Sequence, residues 1–131
     1  MTIIPGLMNE VRWTVTENDT AASGEGTKLP PVLSTPRMIS LMESTCHSSI
    51  VDQLPPEEST VGILVNIRHL AATPVGLEVR IRSELIEVDG KRLKFRVEAW
   101  DPSEKIGEGE HERFIINVSR FMERVKSKAP H

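Results

Sequence analysis

The sequence predicts an α+β fold in which an antiparallel sheet of about five strands wraps one central helix. Three features of the chain predict it. A single stretch with helical spacing opens at Thr35-Pro36. Apolar residues recur at every second position both before that stretch and from Thr60 onward. Asp89-Gly90 marks a two-residue hairpin between two of the alternating stretches. At 131 residues the chain is long enough for one core and too short for two, so residues 1–131 are read as a single domain.

The first strand is read over Val11–Glu17, where Val11, Trp13 and Val15 share one face and Arg12, Thr14 and Thr16 the other. Residues 18–32 follow, rich in Ser, Thr and Gly and closed by Pro30-Pro31, with little to bury. They are read as a loop, either ordered or mobile without ligand, and as a candidate lid. The helix is expected to open with Thr35 as its cap and Pro36 in the first turn, where the missing proline N–H costs nothing. Met38, Met42, Thr45 and Ser49 share its inner face, flanked by Leu41 and Cys46, and Pro55-Pro56 stop it after about Leu54. Ser44, Thr45, Cys46, Ser48 and Ser49 form helix poorly by themselves, so this helix must be held by tight packing around its small side chains.

Four strands are then predicted as an antiparallel meander. In the first, Val61, Ile63, Val65, Ile67 and His69 share a face opposite Gly62, Leu64, Asn66 and Arg68. A turn over 73–76 leads to Leu77, Val79, Ile81 and Leu85, and the Asp89-Gly90 hairpin leads to Leu93, Phe95, Val97 and Ala99. A turn over 101–104 leads to a last strand from Lys105 to about Val118, and Ser119 is the predicted cap of a short terminal helix carrying Phe121, Met122 and Val125. A long helix enclosed by such a sheet is the hot-dog arrangement.

Composition narrows the function. A net charge of −3 argues against a broad phosphate-binding surface, so no nucleic-acid partner is expected. Cys46 is the only cysteine, which leaves neither an internal disulfide nor a cysteine-based zinc site and suits a reducing cytoplasm. No apolar stretch reaches membrane-spanning length, and the N-terminus lacks the basic-then-apolar pattern of a signal peptide. The expectation is a soluble cytoplasmic protein with no membrane association.

Glu43 falls beside Ile39 and Ile50 on the helical wheel, at the edge of the buried face. A carboxylate held against apolar side chains has its ionised form disfavoured unless partners compensate, which suits it to act as acid, base or nucleophile. The plainer reading is a rim glutamate with its head in water, paired with His47 one turn on. His69 ends a strand of aliphatic same-face residues and reads either as an edge histidine or as a catalytic one. Gly62 marks a close approach of ligand or backbone, or a bulge. Arg113 follows Gly107, Gly109 and His111 on one strand face and suits a carboxylate or phosphate, or an ion pair with a local glutamate. Cys46, within the helix, has no obvious thiolate stabiliser and reads as a small packing residue. No Walker loop, dinucleotide fingerprint, nucleophile elbow or paired-histidine metal motif occurs.

Taken together, several stretches resemble the fluoroacetyl-CoA thioesterase family of hot-dog enzymes. They are Ser34-Thr35-Pro36 with Leu41-Met42-Glu43; Gly62 with Val65-Asn66-Ile67-Arg68-His69 and the 71–77 segment AATPVGL; and the 106–113 segment IGEGEHER. The similarity runs from about Leu33 to Val125. It implies catalytic roles for Thr35, Glu43 and His69, a place beside the acyl group for Gly62, and substrate binding by Arg113. It further implies an acyl-CoA thioesterase acting on a short or small acyl group, assembled as a homodimer or higher oligomer with sites at the subunit interface. No metal or cofactor is implied, since CoA is part of the substrate. One departure bears on substrate: the fluoroacetyl-selective member closes its pocket with phenylalanines before the helix, whereas residues 21–32 here contain no aromatic residue. That argues against fluoroacetyl selectivity. A hot-dog hydratase or dehydratase acting on acyl thioesters, and a non-catalytic acyl-CoA-binding module, are the alternatives.

Overall fold

Apolar residues at every second position give each strand one face to bury, and in the computed structural model, which describes residues 3–24 and 28–130, those faces close over one helix. The strands are β1 (Met8–Thr14), β2 (Glu58–His69), β3 (Glu78–Asp89), β4 (Arg92–Trp100) and β5 (Lys105–Asn117). The helices are α1 (Thr35–Ile50) and α2 (Val118–Lys126). Neighbouring strands are all antiparallel, in the order β1-β3-β4-β5-β2.

That order corrects the predicted four-strand meander. Only β3, β4 and β5 follow one another across the sheet; β2 pairs with β5 at the far edge and does not touch β3. Residues 70–77 carry the chain back, tied by Leu70 N to Ile106 O at 2.7 Å, Leu33 N to Thr73 O at 2.8 Å and Val15 N to Leu77 O at 2.9 Å. A turn signal says that the chain reverses, not which strand it rejoins. β1 also sits three residues earlier than expected, because Thr16 and Glu17–Asp19 turn around the Asp19 carboxylate instead of extending the strand. The β3–β4 hairpin forms where predicted, with Asp89 paired to Arg92 and Gly90 at φ +61°, a conformation that favours glycine.

α1 is capped by Ser34, not Thr35: the Ser34 hydroxyl accepts from Arg37 N at 3.1 Å, and Thr35 becomes the first helical residue. It ends at Ile50, and a 3₁₀ turn over Val51–Gln53 completes the predicted stretch. Met38, Leu41, Met42, Thr45, Cys46 and Ile50 are its buried residues, set against Ile81, Leu85, Phe95 and Val97 of the sheet. Burial of Met38, Leu41, Met42 and Ile50 contributes about 1.5–3 kcal/mol each, which offsets the weak helix propensity of residues 44–49. Gly107 permits the close contact, since a Cβ there would lie 2.6 Å from Met38 Sδ. α2 is capped by Asn117, whose side chain accepts from Arg120 N at 3.1 Å, and not by Ser119.

A bulge in β2 re-sorts its faces. Gly62 pairs with Arg113 and Leu64 with Glu112, which leaves Ile63 without a partner in the register. Paired residues share a face, so Thr60, Gly62, Val65, Ile67 and His69 all lie on the side of β5 that carries Gly107, His111, Arg113 and Ile115. The simple alternation put Gly62 opposite His69; the inserted residue brings both to the inner face. β2 is also a free edge, and Ile63, Leu64 and Val65 are 51%, 42% and 46% exposed.

Candidate active site

The first residue of α1 and the last residue of β2 meet. Thr35 Oγ1 lies 2.8 Å from His69 Nδ1, because residues 70–77 leave β2 directly across the start of the helix. Burial lowers the His69 pKa against an opposing contact with the Ala71 backbone, so the ring is neutral near pH 7. Its Nε2 is buried without a hydrogen-bond partner among the described residues, which leaves one ring nitrogen with an unmet hydrogen bond. Beside the pair lies a cavity of about 410 Å³ lined in part by Val32, Leu33, Ala71 and Ala72. A second cavity, about 620 Å³, lies against Thr35, Ala21, Leu29 and Arg37.

The predicted lid supplies walls to both cavities. Its two ends are tied together, by Ala21 N to Val32 O at 2.9 Å and Ser34 N to Asp19 O at 3.0 Å, while residues 25–27 fall outside the described residues. Asp19 anchors this segment to α1. Its carboxylate, 3% exposed, accepts from Trp13 Nε1, Thr16 N, Thr16 Oγ1 and Arg37 Nε at 2.7–2.9 Å. Burial alone would raise its pKa, but these donors outweigh burial and hold it well below the usual carboxylate range. Arg37 also stacks over Trp13, 4.9 Å from the ring centre.

Glu43, Gly62 and Arg113 form a second group. Arg113 Nη1 lies 3.6 Å from Glu43 Oε2, close enough for an ion pair and too long for a good hydrogen bond. Arg113 is 9% exposed, whereas the Glu43 side chain is 38% exposed, so the carboxylate stays open to a ligand. Burial lowers the Arg113 pKa and the Glu43 charge opposes that. Gly62 leaves the gap: a Cβ there would lie 3.1 Å from Glu43 Oε2 and 3.4 Å from Arg113 Nη1. Gly62 lies near the middle of β2 and His69 at its last residue, about 20 Å apart along the strand, so the two groups are separate within one chain.

Sequence reasoning missed the residues that hold Arg113. Its Nε donates to Thr60 Oγ1 at 2.7 Å, its Nη2 to Thr60 O at 3.0 Å, and its Nη1 lies 3.2 Å from His111 Nε2. Thr60 and His111 come together with Gly62 through the pairing of β2 with β5, which alternation within either strand does not reveal. The pairing of Glu43 with His47 is not formed; His47 Nδ1 lies 2.7 Å from Thr60 Oγ1 instead. Cys46 is fully buried, and burial pushes its thiol up to about 12, consistent with a packing residue. Among the described residues no cluster of His, Cys, Asp or Glu is placed to hold a metal ion, and no helix is long and apolar enough to cross a membrane.

The sequence profile of the fluoroacetyl-CoA-specific thioesterases matches residues 15–119. The chain belongs to this family. The fluoroacetyl-CoA thioesterase of Streptantibioticus cattleyicolor is 40% identical over 108 residues, spanning 82% of this chain and 78% of that one. A solved structure of a fluoroacetyl-CoA thioesterase aligns with a TM-score of 0.93 at 34% identity, covering 99% of this chain and 100% of the other. A hot-dog-like protein from Thermanaerovibrio acidaminovorans aligns at 0.89 with 21% identity, over 97% of this chain and 93% of that one, a likeness of fold. The five antiparallel strands around α1 are therefore the hot-dog fold expected from the sequence.

Proposed function

We propose that this member of the family hydrolyses a short or small acyl-CoA thioester to the free acid and CoA. In this reading Thr35, Glu43 and His69 act at the reacting centre, with Gly62 and Arg113 beside it. Membership of a thioesterase family makes the chain a thioester hydrolase and disfavours hydration, or binding without turnover. The observation that carries the residue assignment is the Thr35–His69 pair, a hydroxyl and an imidazole 2.8 Å apart with the second ring nitrogen unbonded among the described residues. Water, or Glu43 itself, adds to the thioester carbonyl, the C–S bond breaks, and CoA leaves as the thiol. Glu43 is either the nucleophile, forming an anhydride that water then opens, or the base that activates water. Neutral His69 exchanges the proton, Thr35 orients it, and Arg113 keeps a positive charge beside Gly62. The reaction so written needs no cofactor. A single buried cysteine suits the cytoplasm as its setting.

The two groups of residues call for a second copy of the chain. β2 is a free edge with exposed Ile63, Leu64 and Val65, and edges of that kind invite pairing. Two β2 strands joined antiparallel about a two-fold axis near Val65–Asn66 would set Gly62 and Glu43 of one protomer beside the partner's His69. The glycine-bearing β5 lies inside the sheet, between β4 and β2, which leaves β2 as the edge for this contact.

Thiol release from a panel of acyl-CoA esters tests the reaction, and two variants test the site. Glu43→Gln and His69→Ala are each expected to reduce turnover by roughly 10²–10⁴ while leaving the assembly folded. Mixed and allowed to exchange subunits, the two inactive variants should regain about a quarter of wild-type activity, because half the dimers are mixed and each carries one intact site. Full activity in either single variant would remove that residue from the mechanism. No recovery on verified exchange would show that each site lies within one chain.

A further inference from the structure

Thr60 and His47 take no part in the proposed reaction, yet they lie behind the Arg113 guanidinium that faces Glu43. Arg113 is buried, and a buried cation requires both a counter-charge and acceptors for its N–H groups. Thr60 supplies two acceptors, its hydroxyl at 2.7 Å from Nε and its carbonyl at 3.0 Å from Nη2. His111 supplies the third. Its Nδ1 lies 2.7 Å from Leu64 O, an acceptor only, so the ring proton sits on Nδ1, and Nε2 accepts from Arg113 Nη1 at 3.2 Å. That same bond pins the bulge, because Leu64 follows the unpaired Ile63.

The Thr60 hydroxyl fixes the state of His47 in turn. It accepts from Arg113 Nε, and its own proton has one other neighbour within reach among the described residues, His47 Nδ1 at 2.7 Å. The hydroxyl therefore donates to His47, and His47 carries its proton on Nε2. A proton on Nδ1 would leave the buried hydroxyl proton unpaired and, in the imidazolium, set a second cation beside Arg113.

We propose that His47, Thr60 and His111 form a neutral cradle that holds Arg113 toward Glu43, and that His47 is thereby a positioning residue for the reacting carboxylate. The cradle explains why Glu43, with no close hydrogen bond of its own to Arg113, still has a fixed charge 3.6 Å away. It extends the proposed mechanism and rests on the reading of Glu43 as the reacting carboxylate.

A double-mutant cycle tests it on the full-length assembly. His47→Ala should lower kcat roughly five- to tenfold with KM changed less than about twofold, the effect of one lost positioning hydrogen bond. His47→Asn, whose amide oxygen can accept at the Nδ1 place, should recover most of that loss. In a Glu43→Gln background, His47→Ala should lower kcat no further. An unchanged kcat in His47→Ala, or equal losses in both backgrounds, overturns the cradle. Wild-type kcat in Glu43→Gln alone overturns the underlying reading of Glu43, and is distinguished because no His47 variant is involved. If His47→Ala fails to fold, nitrogen NMR of the wild-type imidazoles decides: a proton on Nδ1 of His47 at pH 7 overturns the cradle, and a proton on Nε2 supports it.

Discussion

A Cβ built on Gly62 would lie 3.1 Å from Glu43 Oε2, 3.2 Å from His111 Cε1 and 3.4 Å from Arg113 Nη1, three groups that meet at one point. Arg113 Nη1 is at contact distance, but Glu43 Oε2 and His111 Cε1 would each have to give by a few tenths of an ångström, so an alanine fits only by displacing the carboxylate and the ring that braces its cation. Gly62→Ala is therefore expected to cost less than about 1 kcal/mol of stability and to lower kcat roughly tenfold. Urea denaturation and steady-state kinetics on one preparation check both numbers. A large stability loss with normal turnover would make Gly62 a structural glycine only. Glu43 was legible in the sequence from its place at the rim of the helical wheel, and Gly62 from its break in an alternating strand. Thr60 and His111 were not, because their role depends on pairing across β2 and β5. No one-dimensional period carries that information.

The elements themselves were largely legible, since periods of two and 3.6 survive in the chain whatever it packs against. What shifted was their ends. Ser34 capped α1 in place of Thr35 and so released the Thr35 hydroxyl for His69, while Asn117 took over the cap of α2. β1 stopped early because Asp19 gathers the chain behind it. This buried carboxylate joins β1, the predicted lid and α1 through Trp13, Thr16 and Arg37, so its removal should loosen the wall of both cavities. Asp19→Asn keeps the shape but loses the charge, and is expected to destabilise the fold by about 2–3 kcal/mol, below the usual cost of breaking a buried pair because Arg37 is partly exposed. Chemical denaturation at pH 7 gives the value. The difference from wild type should shrink in acid: the Asp19 pKa is lowered on folding, so its contribution is present above 3.8 and lost as pH falls through the folded value.

Strand order was not legible, because the 70–77 linker reaches either edge with the same residues. The consequence is global: β2 at the edge leaves the inner face beyond α1 uncovered near Val65, and brings His47, Thr60, Arg113 and His111 together under it. The stability of the whole molecule should register this as a dependence on pH. His47, His69 and His111 all have pKa values lowered from 6.5, in each case first by burial. Arg113 lowers His47 and His111 further; the Ala71 backbone opposes the shift at His69, and the Leu64 backbone, Glu43 and Glu112 oppose it at His111. Each ring therefore binds a proton more readily in the unfolded chain than in the folded one. The stability that this supports is present above 6.5 and is lost as pH falls through the lowered folded values. Carboxylates titrate from ordinary values of 3.8 and 4.5, so between pH 8 and pH 5 the histidines dominate. Unfolding free energies from urea titrations should be level from pH 8 to about 7 and decline progressively below. His47→Asn should flatten that decline by removing one of the three titrating rings. A wild-type curve that stays level down to pH 5 would mean that all three rings reach water, and the buried cradle around Arg113 would fall with it.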